Sequence, residues 1–410
     1  MTEETLAAGA AAVGTSQGRG ERVYQQVLTG TLFAFGFFIV YSTAGTNLAI
    51  AAMLALWLAA PRRLWDEAPW RQPVLAIGLV LLAYIVLRTL GGEGAGKASW
   101  AAIGHYQELL VIPLLWALLR VAAKPRALLA GLLVGVVSYA LVHWLALVVP
   151  SLAVWLNFRR ISAGFALAVG AFVLFEHARL GQVPRRAGYA AAVALALTVL
   201  FAIDGRTGHV ILLLLAGCAA WRSVPKRWAV PALLAIVAGV LLVASQSDRV
   251  RARFGELFTM PARHVPGTIV TSTEVRVPLL RVATDVAREH FWGGAGFASY
   301  PRAYAQAADR VPDPDPETKP FWGHSDNPHN EYLMQLGAGG VAALGLFLLW
   351  VGAPMAAGLR RGASPWAGAL GCVALAFAVG CLFNSLLLDF TEGHFYAALL
   401  AWGLARRGSA

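Results

Sequence analysis

Long apolar stretches recur along most of this chain, and they limit its possible folds more than any other feature. Each is about as long as the 20 residues that a helix needs to cross a bilayer. The stretches are apolar on every face, whereas β-barrel strands alternate apolar and polar residues. Charged residues make up only 13% of the 410 residues, against about 25% in a typical soluble domain. The sequence therefore predicts an all-α polytopic membrane protein.

The apolar stretches predict about twelve transmembrane helices in a single integral membrane domain over 1–410. Their approximate limits are 24–43, 45–60, 72–90, 102–121, 127–149, 161–177, 187–203, 208–222, 229–246, 330–354, 364–388 and 393–405. The long polar segment 247–329 is expected to form a loop between the ninth and tenth of these helices and to contain short helices. Apolar residues at helical spacing predict one of them over 274–290.

The basic residues predict the orientation, because they cluster in alternate short loops. These loops and the C-terminal tail contain Arg62, Arg63, Arg71, Arg120, Lys124, Arg126, Arg179, Arg185, Arg186, Arg222, Lys226, Arg227, Arg360, Arg361, Arg406 and Arg407. By the positive-inside rule this side is cytoplasmic and includes both termini, so 247–329 is periplasmic. The first 22 residues lack a short apolar core and are expected to be an uncleaved tail. The net charge of +11 thus follows topology and does not indicate nucleic-acid binding.

A few basic residues fall on the opposite side, where the topology rule requires none. They are Arg88, Lys97, Arg159, Arg160 and Arg206. Each is a candidate for binding an anion, and the alternative is a side chain that reaches lipid phosphates. The alternative is preferred for Lys97, beside a glycine-rich loop.

A histidine motif comes directly before the apolar run at 330–354. In the order Asn327, Pro328, His329, the asparagine suits a helix N-cap and the proline suits the first helical position. His329 is then predicted to lie in the first turn, where the helix dipole would keep its imidazole neutral, as a general base requires. The alternative is a histidine that only caps or packs.

Two further motifs place arginines near predicted helix starts on the same side. The tight turn 204–209 carries Arg206 between glycines, and a guanidinium there can bind phosphate oxygens in bidentate fashion. Arg276 opens the predicted helix of the large loop. The alternatives are an Asp204–Arg206 pair that only stabilises the turn, and a solvated position for Arg276.

The chain contains no phosphate-binding Walker loop, dinucleotide fingerprint, HExxH zinc motif or paired aspartates of a nucleotide-sugar site. The three cysteines fall inside apolar runs without metal-ligand spacing. We therefore expect no metal and no cofactor, so the bond energy must come from the substrate, which favours a lipid-diphosphate donor.

Together these features resemble the O-antigen ligase family, which ligates the lipopolysaccharide core, within the wider O-antigen ligase and polymerase superfamily. The matching residues are Arg206 in Gly-Arg-Thr-Gly, Arg276 in Ser-Thr-Glu-Val-Arg, His329-Asn330 followed by Gly337 and Gly340, and Asp389 in the last outer turn. The resemblance implies a glycosyltransferase of the bacterial inner membrane. It would transfer O-antigen glycan from undecaprenyl diphosphate to a sugar hydroxyl of lipid A–core on the periplasmic face, without a metal and with inversion.

The resemblance also implies the roles of individual residues. His329, Arg206 and Arg276 are expected to be catalytic, and the residues expected to bind the diphosphate or glycan are Arg159, Arg88, Arg160, Asn330 and Asp389. The same motifs leave open an O-antigen polymerase or a pilin O-oligosaccharyltransferase. A secondary transporter is less consistent, because it would place ionisable residues near the bilayer midplane, and a non-catalytic scaffold would not need these residues on one face.

Overall fold

The computed structural model describes residues 3–60, 68–93, 95–149, 151–152, 160–203, 205–245, 267, 270–312, 314–360 and 363–406. All regular elements in these ranges are helical. The helices before the large loop are α1 (Glu3–Phe38), α2 (Thr43–Ala59), α3 (Pro73–Glu93), α4 (Lys97–Gly104), α5 (Glu108–Val121), α6 (Arg126–Ala146), α7 (Arg160–Arg179), α8 (Arg185–Ala202), α9 (Arg206–Ser223) and α10 (Lys226–Ser245), with a 3-10 helix at Pro69–Arg71. The later helices are α11 (Ser272–Glu289), α12 (Tyr300–Asp309), α13 (Lys319–Trp322), α14 (Glu331–Leu359), α15 (Pro365–Gly380) and α16 (Phe390–Ala405).

Five helices in the described part of the chain are long and apolar enough to cross a membrane, namely α3, α6, α7, α8 and α14. The pair α4 and α5, bent by 48°, makes a sixth if it counts as one span. The predicted all-helical fold with several apolar spans is therefore confirmed. Each predicted stretch overlaps a helix, but twelve transmembrane helices and their orientation remain predictions.

The helices pack around an aromatic core. Trp350 of α14, Phe377 of α15 and Tyr396 of α16 are almost completely buried. The Phe377 and Tyr396 rings stack at 4.2 Å between centroids, and Trp350 meets Tyr396 edge-on at 5.4 Å. Further contacts join α14 to α3, α7 to α8 and α9, and α16 to α5.

The two ends of α7 and α9 differ in their charges. Glu176, fully buried near the end of α7, is 2.7 Å from Arg179 and 3.1 Å from Arg222 at the end of α9. The opposite ends begin with Arg160 and Arg206. We call the end of the helical bundle where α7, α9, α11 and α14 begin the site end.

The helices α11, α12 and α13 lie in the predicted loop 247–329, of which 247–266 is outside the described residues. The helix predicted over 274–290 is confirmed as α11. Its amphipathic face buries Leu279, Val282 and Val286, and α11 packs against α14. The periplasmic location of the loop remains a prediction.

A break interrupts α14 at Gly340, where φ is 72° and ψ is −172°. The carbonyls of Gly337 and Ala338 accept hydrogen bonds at 2.7 and 2.8 Å from backbone N–H groups of the segment 290–299, which joins α11 to α12. A Cβ at Gly340 would lie 2.4 Å from the carbonyl oxygen of Trp292. The face of α14 that carries these small residues therefore packs against the segment 290–299.

Replacing Gly340 should destabilise the fold. In Gly340→Ala the methyl group meets Trp292, and the residue must keep a backbone with positive φ and extended ψ that is essentially confined to glycine, which alone costs about 1–3 kcal/mol. The matched control is Gly345→Ala in the same helix, where a Cβ meets nothing within 4 Å. We expect a lower melting temperature for Gly340→Ala only, measured by thermal unfolding in detergent. Equal melting temperatures for the two variants would show that the break is not required.

Candidate functional site

Three arginines come together at the site end. Arg160 and Arg206 are the first residues of α7 and α9, and Arg276 lies in the second turn of α11. All three are half-buried. Burial lowers the pKa of Arg276, and the positive charges of Arg206 and Arg160 lower it further. The structure therefore gathers three of the predicted site residues into one positive cluster, which we call the arginine cluster.

Glycines bring the first two of these arginines together. A Cβ at Gly164 would lie 2.9 Å from the Cα of Gly208, so α7 and α9 are in backbone contact just after their first residues. A Cβ at Gly205 would lie 2.9 Å from the carbonyl oxygen of Arg160. Because no larger residue fits this approach, the Gly-Arg-Thr-Gly turn holds Arg206 beside the start of α7.

A capping box positions the third arginine. The Thr271 hydroxyl accepts from the backbone N–H of Glu274 at 3.3 Å, and the Glu274 carboxylate accepts from the N–H of Thr271 at 2.6 Å. This arrangement fixes the first turn of α11. Since the apolar face of α11 packs on α14, Arg276 is held near the start of α14 as well.

His329 lies outside α14, so its predicted place in the first helical turn is wrong. The cap is Asn330, whose side-chain oxygen accepts from the N–H of Leu333 at 3.0 Å. The Asn327 side-chain oxygen instead accepts from the backbone N–H of His329 at 2.8 Å. An asparagine bonded in this way to the backbone two residues later forms an Asx-turn. His329 has a positive φ of 49° and comes one residue before the Asn330 cap.

A relay of side chains orients the His329 ring. Its Nδ1 lies 2.6 Å from the Oδ1 of Asn384, and the Asn384 Nδ2 donates to Asp389. With the amide nitrogen turned towards the carboxyl group, the amide oxygen accepts from His329. This orientation of the amide corresponds to the tautomer with hydrogen on Nδ1, in which Nε2 keeps the lone pair that can take up a proton.

Burial lowers the pKa of His329. The hydrogen bond that His329 donates to Asn384 raises this pKa, and the charge of Arg276 lowers it. Burial, the largest of these effects, favours the neutral imidazole, whereas the prediction relied on the helix dipole. Burial also raises the pKa of Asp389, helped by the charge of Glu392.

The start of α14 is tied to the segment 381–389 between α15 and α16. The fully buried carboxylate of Glu331 accepts from the amide of Gln335 at 2.7 Å and from the N–H of Leu387 at 3.0 Å. The Asn330 amide donates to the carbonyl of Leu382 at 3.1 Å. These bonds set the distance between His329 on one segment and Asn384 on the other.

The other predicted residues have different surroundings. The Arg88 guanidinium donates to the carbonyls of Gly293 at 2.6 Å and Gly294 at 3.1 Å, so it holds the segment 290–299. Asp389 lies behind Asn384 in the relay, and Asn330 caps α14. The predicted contributions of Arg159 and Asp204 lie outside the described residues.

Sequence reasoning missed Asn384 and gave no role to Glu331. The apolar stretch predicted over 364–388 runs through Asn384, but α15 ends at Gly380. A buried asparagine in an apolar stretch is itself a signal of function or of a chain turn. In the described part of the chain, no group of three or more His, Cys, Asp or Glu side chains could hold a metal ion.

Comparison with known proteins supports the resemblance. Residues 190–348 match the family model described as O-Antigen ligase. The matched segment contains Arg206, Arg276 and His329, whereas Arg160 and Asn384 lie outside it. A search of curated proteins found no match. This match confirms that residues 190–348 are similar to the O-antigen ligase superfamily, as the motifs indicated.

The arginine cluster predicts binding of a diphosphate. Inorganic pyrophosphate should raise the melting temperature of the purified protein, because a ligand of the folded state alone stabilises it by about 2.7 kcal/mol at one hundred times its Kd. Arg276→Gln should lose most of this increase. Its own melting temperature should not fall, since the substitution removes repulsion and the cost of a buried charge.

The matched control is Arg281→Gln, an exposed arginine on the same helix, which should keep the full increase. Sodium chloride at equal ionic strength measures the effect of screening. An equal response of both variants to pyrophosphate would contradict a diphosphate site at this cluster.

Proposed function

We propose that this protein is a membrane glycosyltransferase that transfers an O-antigen glycan from undecaprenyl diphosphate to a sugar hydroxyl of lipid A–core. The observation that carries the proposal is the juxtaposition of the arginine cluster with His329, a histidine whose Nδ1 is hydrogen-bonded to Asn384. The match to the O-Antigen ligase model over residues 190–348 supports the reaction class.

The arginine cluster suits the diphosphate of the donor. Two phosphates bring negative charge that offsets the mutual repulsion of Arg160, Arg206 and Arg276. As the glycosidic bond breaks, further negative charge develops on the departing diphosphate. Fixed guanidinium groups stabilise that charge more in the transition state than in the ground state, which lowers the barrier.

His329 suits the role of general base. The acceptor hydroxyl oxygen forms a bond to the anomeric carbon while the bond from that carbon to the phosphate oxygen breaks, leaving undecaprenyl diphosphate. The hydroxyl proton passes to Nε2 of His329, and Asn384 holds Nδ1–H throughout. Attack opposite the leaving group inverts the anomeric centre, and no metal is needed in this scheme.

The acceptor follows from the resemblance of the motifs, and the described residues contain no feature that selects lipid A–core over the growing glycan of a polymerase or over pilin. A transfer assay with each acceptor separates these alternatives. The protein is reconstituted into liposomes with the lipid-linked donor, and the product is measured by its change in mass.

Removing the base should abolish transfer without unfolding the protein. We expect His329→Ala to reduce the transfer rate by about 10²–10⁴-fold, the usual contribution of a general base. Donor binding should stay within a few-fold of the parent, because the arginine cluster is intact. Rate is measured in the liposome assay, and folding is measured by thermal unfolding.

His324→Ala is the matched control, since His324 is an exposed histidine of the same loop and should keep parental activity. A folded His329→Ala protein that retains most of its turnover would falsify the role of His329 and direct the search for the base to His324 or Asp389.

The pH profile should report the surroundings of His329. Only neutral imidazole takes up a proton, so kcat/KM should be flat near neutral pH. Its acid limb should lie below the ordinary histidine pKa of about 6.5, because burial lowers the pKa of His329. Arg276→Gln removes a charge that lowers the pKa, so the acid limb should move to higher pH. Asn384→Ala removes a hydrogen bond that raises the pKa, so the limb should move to lower pH.

These opposite shifts distinguish positioning of the base from general damage, which would lower activity at every pH. Arg281→Gln should leave the acid limb unchanged. Shifts in the same direction for Arg276→Gln and Asn384→Ala would show that the limb belongs to another group.

A further inference from the structure

The segment 290–299, which joins α11 to α12, presents two aromatic side chains on the protein surface. Trp292 is 79% exposed and Phe291 is 39% exposed. Their rings meet edge-to-face with centroids 5.0 Å apart. Hydrogen bonds to Arg88 and to α14 hold the segment, so this apolar surface is presented in a fixed position.

Several backbone polar groups of this segment form hydrogen bonds within the protein. Arg88 of α3 binds the carbonyls of Gly293 and Gly294, and the N–H of Gly294 donates to His290 at 2.8 Å. The carbonyl of Phe291 accepts from the N–H of Val341, beyond the break in α14, at 2.9 Å. Non-helical backbone is tolerated at membrane depth only where the protein satisfies its polar groups in this way.

The depth of the segment follows from helix length. The 29 residues of α14 exceed the number needed to cross the hydrocarbon core, which is about 20. Counting about 20 residues back from Leu359, which precedes Arg360, puts the other boundary of the core near Gly340. The segment 290–299 packs at that break, and it also contacts α3 five residues before its end at Glu93.

We propose that Phe291 and Trp292 insert into the interfacial region of the bilayer at the site end, where bulk lipid covers them. Tryptophan is enriched at the boundary between headgroups and acyl chains. The apolar surface continues onto the candidate span α3 at Leu87, which is 72% exposed. Because 290–299 follows α11 directly, this insertion would hold α11 at a fixed height above the bilayer, and it does not depend on glycosyl transfer.

Site-directed labelling in nanodiscs tests the proposal. Trp292→Cys is labelled with a fluorescent dye, and the unsubstituted protein, labelled in parallel, corrects for its own cysteines. The matched control is Phe321→Cys, an aromatic residue that is 60% exposed on α13, a helix that packs against α11. The discs contain phospholipids with a nitroxide high or low on the acyl chain and no polyprenyl lipid, and iodide is the aqueous quencher.

The dye at position 292 should be quenched several-fold more by the shallow nitroxide than the dye at 321, and less by iodide. Phe291→Cys gives a second position that should behave like 292. Quenching of 292 by iodide to the same extent as 321 would overturn the proposal. Protection from iodide without nitroxide quenching would show a covering protein surface, and protection only after adding polyprenyl diphosphate would show the donor chain as occupant. Both outcomes would overturn the proposal as well.

Discussion

The buried carboxylate of Glu331 connects the parts of the site that lie far apart in the sequence. It is fully buried at the first residue of α14 and accepts from Gln335 on its own helix and from the backbone of Leu387. A buried carboxylate without such partners would be costly, so the segment 381–389 must stay close to the start of α14. Asn384 and Asp389 are thereby placed behind His329, and the tautomer of the histidine depends on this contact.

The break in α14 creates the same need for hydrogen-bond partners, here for backbone groups. At Gly340 the helix departs from regular geometry, and the segment 290–299 supplies partners for carbonyls on the helix. Gly294, with φ of 71°, packs against the carbonyl of Ala338 so closely that a Cβ would lie 2.2 Å from its oxygen. The loop that carries α11 is thus fixed to a candidate membrane span, which keeps Arg276 within reach of Arg160 and Arg206.

Much of this organisation could be predicted from the sequence, because apolar runs and helical periodicity are local signals. These signals predicted the helices and the approximate limits of α11. The motifs pointed to Arg206, Arg276 and His329, which the structure gathers at one end. What failed depends on tertiary contacts. Asn327 and Asn330 are both suitable helix caps by residue type. The start of α14 at Asn330 goes with two tertiary hydrogen bonds, from the Asn330 amide to Leu382 and from the N–H of Leu387 to Glu331. Asn384 was hidden in an apolar stretch. No periodicity predicts the contact of Arg88 with the segment 290–299, and its expected role in substrate binding remains a prediction.

The charges at the C-terminal ends of α7 and α9 suit the helix dipoles, whereas the charges at the N-terminal ends oppose them. This contrast is the physical argument for an anionic ligand. Arg179 and Arg222 lie in last helical turns, where the helix dipole favours a positive charge, and Glu176 accepts hydrogen bonds from both. Arg160 and Arg206 lie at first residues, where the dipole is positive and a cation is disfavoured, and Arg276 adds a third charge beside them. Selection for stability alone would place acidic residues at those positions. Since the N-terminal ends of helices bind anions, a diphosphate at the cluster would relieve the repulsion among the arginines and between the arginines and the dipoles.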